Sequence, residues 1–75
     1  MKILALGGSG GMGRFAVHSL IKHPQVESIL VADLNESAAK KFASTLSEKT
    51  SGIGIDVTDK EALEGAMKGV DVVIN

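Results

Sequence analysis

Seventy-five residues make one small domain, at a size where surface still outweighs interior, and leave no room for a second. The absence of cysteine excludes a disulfide framework, a thiolate metal site and a cysteine nucleophile, so apolar packing alone must hold the fold. Eight Lys and Arg against nine Asp and Glu, a formal net charge of -1, give no electrostatic footprint for nucleic acid or an anionic membrane, and the expected partner is a small ligand.

Met1 to Leu6 is apolar for only a few residues before glycines interrupt it, too short for a signal segment or a membrane span, and the cytoplasm is the expected compartment. Lys2 to Leu6 reads as a buried strand, and Gly7 to Gly13 as the loop after it. From Gly11 or Met12 to about Lys22, Met12, Ala16, Val17, Leu20 and Ile21 recur at helical spacing. His23-Pro24 ends this helix, because proline disfavours helical geometry in the residue before it. Ser28 to Asp33 is a second strand, β-branched and apolar until an acid closes it.

Asn35 then has the character of an N-cap. Ala39, Phe42, Ala43 and Leu46 form the apolar stripe of a second helix, with Glu36, Lys40, Lys41, Glu48 and Lys49 on the remaining arc. Gly52 to Val57 is expected as a third strand, closed by Asp56, with two glycines that weaken it but leave room for something to approach closely. Thr58 and Glu61 fit a capping box for a third helix running to about Lys68. Gly69 is the expected left-handed C-cap, and Val70 to Asn75 a fourth strand. Uninterrupted alternation of strand and helix predicts an α/β fold with a parallel sheet, strand order 3-2-1-4, between helical layers. Val70 to Asn75 would be an apolar edge, which natural sheets pair or cover. The chain is therefore expected to be truncated after the fourth strand and, when alone, either to self-associate along that edge or to owe its compactness to a partner.

Gly8-Ser9-Gly10-Gly11-Met12-Gly13 matches G-x-G-x-x-G directly after a strand and at the opening of a helix, the context a dinucleotide site requires. One glycine makes the tight turn, the next clears the approach to pyrophosphate, and the last lets helix pack on strand. Helix amides and dipole then face the phosphates, and the Ser9 hydroxyl is placed to donate to one. Asp33 stands about twenty residues beyond the last loop glycine, where an acid accepts hydrogen bonds from the adenosine ribose hydroxyls. An ionised acid there repels a 2'-phosphate, so NAD is favoured over NADP. Arg14, directly after the loop, keeps NADP open. Asp56 shares the same sheet edge and is placed to meet the adenine amine, or serves only the turn Asp56 to Asp59. Gly8, Ser9, Gly10, Gly11, Met12, Gly13, Asp33 and Asp56 are thus the candidate cofactor residues. The alternative is a tight strand-to-helix turn with a solvated aspartate.

Other chemistries fit less well. Gly8 to Gly13 has the spacing of a nucleoside-triphosphate loop, but Arg14-Phe15 replaces the Lys-Ser/Thr that hold phosphate and magnesium. His18 and His23 are off the i, i+4 spacing of a helical metal pair, so no metal site is expected. Ser9 lacks a G-x-S-x-G elbow and a placed base, so it is no nucleophile. With Tyr and Trp absent and Phe15 and Phe42 the only aromatics, base-stacking platforms are not expected. Met12 occupies the third glycine position of the G-x-G-x-G loop of adenosyl-dependent methyltransferases, which stand as a third class.

Through Lys2 to Gly13, Val31-Ala32-Asp33-Leu34-Asn35, Asp56-Val57-Thr58-Asp59 and Asp71-Val72-Val73-Ile74-Asn75, the whole chain resembles the N-terminal coenzyme-binding Rossmann domain of the saccharopine dehydrogenase family. The resemblance implies Gly8, Gly10 and Gly13 as pyrophosphate residues, Asp33 as the ribose residue and Asp56 as an adenine contact. It also implies a longer NAD(P)-dependent oxidoreductase acting on amino-acid-derived C–N bonds, with its substrate domain beyond Asn75 and no catalytic residue within these 75. Extended short-chain reductases share the acid after the second strand and the Asp-Val-Thr-Asp turn, and Gly7, Gly10 and Gly13 satisfy their G-x-x-G-x-x-G loop, although Leu6 departs from their usual threonine. No tyrosine is present to act as a short-chain dehydrogenase's catalytic acid. A redox-sensing module that binds the dinucleotide without chemistry is the remaining alternative.

Overall fold

A computed structural model describes residues 1–7 and 11–74, with residues 11–14 described as backbone only. Seven elements follow one another: β1 (Lys2–Leu6), α1 (Gly11–Leu20), β2 (Ser28–Asp33), α2 (Glu36–Leu46), β3 (Thr50–Gly54), α3 (Lys60–Met67) and β4 (Val72–Ile74). The strands are parallel and lie in the order β3-β2-β1-β4, as the alternating pattern predicts. Side chains alternate across each strand, so the apolar run of β1 feeds two cores. Ile3 and Ala5 join Ile29 and Val31 of β2 under Val17 of α1 and Ala39 and Phe42 of α2. Leu4 and Ala32 face the other way, with Ile55, against the half-buried Leu63 and Ala66 of α3. Two helices thus cover one face and one helix the other.

This arrangement positions the site. The sequence runs outward from β1 through β2 to β3, then crosses to β4 on the opposite side of β1. Ligands of such sheets sit beyond the carboxyl ends of the strands, at the point where the winding reverses. That point lies between β1 and β4, and a hollow at the ends of β1, β2 and β3 lies to one side of it.

Several boundaries differ from the sequence expectation. Helical geometry in α1 stops at Leu20, short of Lys22, and the chain leaves through tightening bonds, Ile21 N–H to the Val17 carbonyl (3.0 Å) and His23 N–H to the Leu20 carbonyl (2.9 Å). β3 occupies Thr50–Gly54 rather than 52–57, because it is defined by pairing with β2, from Ile29 opposite Thr50 to Asp33 opposite Gly54. The Ile55 amide donates the last bond, to the Asp33 carbonyl at 2.9 Å, and Asp56 lies in the turn beyond. β4 begins at Val72. Before it, Asp71 exchanges bonds with the first residue of β1, its amide donating to the Lys2 carbonyl (2.8 Å) and its Oδ2 accepting from the Lys2 amide (2.7 Å). Asn75 lies outside the described residues.

Of the caps, Asn35 behaves as expected, its Oδ1 accepting from the Ala38 amide at 3.0 Å. Gly69 takes φ +74°, the left-handed conformation that ends α3 without a Cβ penalty. The capping box does not form. Asp59 is the N-cap of α3, accepting from the Ala62 amide at 3.2 Å, and the Thr58 amide that the box would give to Glu61 is donated to Asp56 instead. Asp59→Ala is therefore expected to cost about 1 kcal/mol of stability, whereas Thr58→Ala should stay within about 0.5 kcal/mol. Urea denaturation of the two variants side by side checks this order.

Candidate dinucleotide-binding site

Three turns leave the carboxyl ends of β1, β2 and β3 and meet around a hollow. Gly7, Ala32, Asp33, Leu34, Ile55, Asp56 and Val57 line it, and its volume is about 180 Å³. Pockets that enclose a whole drug-sized ligand run to roughly 300–1,000 Å³, so this hollow is a subsite. Gly7 opens the first turn at φ +68°, a conformation that strains any residue with a Cβ, and its amide donates to the Ala32 carbonyl at 2.6 Å. That bond ties the start of the glycine loop to the end of β2.

Asp33 is the last residue of β2, and its Oδ1 accepts from the Asn35 amide at 3.2 Å. Asp56 reaches the same hollow from the β3–α3 connection. Its Oδ1 accepts from the Thr58 hydroxyl at 2.6 Å and from the Thr58 amide at 2.9 Å. The hydroxyl bond, and after it the amide bond, hold the Asp56 carboxyl below the ordinary aspartate value of 3.8, since bonds donated to the charged form favour it. At neutral pH this carboxylate is ionised. Ile55 is buried beneath the hollow, whereas Leu34 and Val57, each directly after one of the acids, are 76% and 56% exposed.

Asp33 and Asp56, chosen from the sequence by their places along the chain, line one hollow. Gly8, Ser9 and Gly10 lie outside the described residues. Gly11, Met12 and Gly13 form the first turn of α1 in backbone, as expected of residues that open the helix after the loop, while the side chains of Met12 and Arg14 lie outside the description. Leu34, Ile55 and Val57 were not singled out from the sequence. Their signal is an apolar residue directly after each acid, Asp33-Leu34 and Asp56-Val57, where a turn would otherwise be polar. His18 is exposed and stands edge-on to Phe42 with ring centroids 6.0 Å apart. His23 is exposed and accepts the Gln25 amide on Nδ1 at 3.3 Å. No group of three metal-ligating side chains exists among the described residues, and no helix among them is long and apolar enough to cross a membrane.

Residues 3–75 match the family described as the saccharopine dehydrogenase NADP binding domain. The chain belongs to this family. Eugenol synthase 1 of Petunia hybrida is 38% identical over 77 residues, which cover 99% of this chain and 25% of that protein. Sorbitol-6-phosphate 2-dehydrogenase SrlD of Erwinia amylovora superposes with a TM-score of 0.75 at 30% identity, over 92% of this chain and 28% of that one. Quinate dehydrogenase of Corynebacterium glutamicum, solved in complex with NAD, gives 0.76 at 25% identity, over 96% and 25%. The chain thus spans about a quarter of the length of the curated relatives it matches. As a saccharopine dehydrogenase NADP-binding domain it is a Rossmann domain of dehydrogenase and reductase type, and a nicotinamide dinucleotide is the cofactor class of its family.

Proposed function

We propose that residues 1–75 are the dinucleotide-holding part of a saccharopine dehydrogenase-like oxidoreductase that works in the cytoplasm on amino-acid-derived C–N bonds. In this reading the chain is part of a cofactor domain, does no chemistry alone, and depends on a substrate domain elsewhere in the protein. The observation that carries it is the convergence of Asp33 and Asp56, with Gly7, on one hollow at the carboxyl ends of the strands. Gly8, Ser9, Gly10, Gly11, Met12 and Gly13 would hold the pyrophosphate through backbone amides and the α1 dipole. Asp33 would accept from the ribose hydroxyls and Asp56 from the adenine amine, with Leu34 and Val57 against the flat faces of the base.

Two carboxylates in one subsite favour a ribose diol over a 2'-phosphate, which supports NAD as the preferred cofactor. Arg14 and the family's own description are the arguments for NADP. Similarity to eugenol synthase 1 favours a second reading, in which the same cofactor site serves a reductase of the extended short-chain type. β4 pairs only with β1 among the described residues, and Val72 and Val73 are exposed. These features support self-association along β4 when the chain stands alone.

Calorimetric titration of this chain with NAD(H), NADP(H) and S-adenosylmethionine tests the proposal. The expected order is NAD(H) tighter than NADP(H), with no heat from S-adenosylmethionine. Absence of binding to either dinucleotide overturns the cofactor reading, and preferential binding of S-adenosylmethionine replaces it with a methyltransferase one.

A further inference from the structure

We propose that the affinity of the hollow for its ligand is set at a distance by Gly65, which leaves α3 incompletely wound until a ligand closes the turn that starts it. The inference rests on the cofactor reading above and concerns a helix none of whose residues lines the hollow.

α3 is poorly equipped to stand by itself. It has eight residues, none of them fully buried, where an isolated helix needs roughly 12–15 to persist in water. Its hold on the sheet comes from two half-buried side chains, Leu63 and Ala66. Among the described residues no hydrogen bond joins it to a strand or to another helix. Gly65 lies inside it, and nothing stands within 4 Å of where a Cβ would be, so no close approach of another element requires glycine there. Its effect is to weaken the helix, by about five-fold against alanine in the winding equilibrium. α2 is the opposite case. It has eleven residues, buries Ala39, Phe42 and Ala43, and passes so close over β3 that a Cβ on Gly52 would stand 2.5 Å from the Ala39 backbone.

A relay of hydrogen bonds leads from the hollow into α3. Asp56, which lines the hollow, accepts the Thr58 amide and hydroxyl on its carboxylate and the Asp59 amide on its carbonyl at 2.9 Å. Asp59 in turn accepts the Ala62 amide on Oδ1 at 3.2 Å and the Leu63 amide on its carbonyl at 3.0 Å. The turn that presents Asp56 and Val57 to a ligand is thus the turn from which α3 winds. A ligand seated against both residues selects the wound form, and its affinity is reduced by the fraction of molecules in which α3 is not yet wound. Gly65 weakens binding in this way without touching the ligand.

The test titrates this chain, Gly65→Ala, Ala62→Gly and the double variant with NAD(H) and NADP(H), and follows amide hydrogen exchange in each with and without dinucleotide. Both positions are exposed and outside the hollow, and the two substitutions act on winding in opposite directions. Gly65→Ala is expected to bind about two-fold tighter, Ala62→Gly about three-fold weaker, and the double variant close to the parent, by the same factors for both dinucleotides. In the parent chain the 63–67 amides should exchange almost as fast as unstructured ones when free and about ten-fold more slowly at saturating dinucleotide, while those of α2 are protected in both states. Equal α2 protection in the four chains shows that the sheet and its other layer are intact, so that the affinity changes belong to α3. Should Ala62→Gly lose that protection, Gly65→Ala, a change toward the better helix former, decides alone. Equal affinities across the series, or 63–67 amides as protected as those of α2 before ligand is added, overturn the proposal. If the parent chain binds a dinucleotide, that failure belongs to Gly65 and α3 alone; if it binds neither, the cofactor reading itself has failed and this inference with it.

Discussion

Gly52→Ala is expected to lower the unfolding free energy by about 3 kcal/mol, at the upper end of ordinary overpacking. A Cβ at this position would stand 2.5 Å from the Ala39 carbonyl carbon and oxygen and 2.6 Å from the Lys40 nitrogen. All three are backbone atoms of α2, so no side-chain rotation relieves the contact. Either α2 lifts from β3, or β3 bends out of register with β2. The loss is a large share of the roughly 5–15 kcal/mol that holds a typical domain. Gly65→Ala provides the matched control. Nothing lies within 4 Å of its added Cβ, the position is inside α3, and alanine there should stabilise by roughly 0.5–1 kcal/mol. Urea denaturation of both variants reads the difference, and a neutral Gly52→Ala would show that α2 and β3 are less tightly seated than their geometry requires.

Asp33→Ala is expected to weaken NAD(H) binding by at least about ten-fold and to strengthen NADP(H) binding, reversing the preference. The first effect follows from losing a charged acceptor for hydroxyl donors, where such bonds contribute roughly 1.5–3 kcal/mol. The second follows from removing a negative charge where a 2'-phosphate would sit. Asp33→Asn separates the two, because it keeps an acceptor of similar shape and removes only the charge. It should recover NADP(H) binding while losing less NAD(H) affinity than alanine. Calorimetric titration of the pair measures both, and an unchanged preference in both variants would shift the assignment of specificity away from Asp33.

Much of this fold is legible from local chemistry. β1 and β2 are short apolar runs closed by a glycine and an acid, and both lie where the sequence puts them. Asn35 and Gly69 are residue types whose capping roles are nearly independent of context. β3 is harder, because Ile53, Ile55 and Val57 alternate as a strand does, while the strand ends at Gly54. The alternation persists because Ile55 enters the core and Val57 lines the hollow, so the apolar pattern outlasts the pairing that defines a strand. Thr58 is misleading for a related reason. Its spacing to Glu61 is that of a capping box, but the Asp56 carboxylate, a charged acceptor two residues away, takes the amide that the box would give to Glu61. In the site, the two acids are visible in advance because each stands at the end of an apolar, strand-like run. The exposed Leu34 and Val57 stand out less, since an apolar residue directly after an acid becomes readable as part of a site only once the hollow beside it is known.

The uneven covering of the sheet has a consequence for how the site would come apart. α2 buries Ala39, Phe42 and Ala43 against one face, whereas α3 has no fully buried residue on the other. Segments with little buried surface open at lower free energy than the rest of a domain. Asp33 sits at the start of the well-anchored layer and Asp56 at the start of the poorly anchored one. Partial opening would therefore release the Asp56 side of the hollow first and leave the Asp33 side standing, so that a ligand spanning both acids would let go one end at a time.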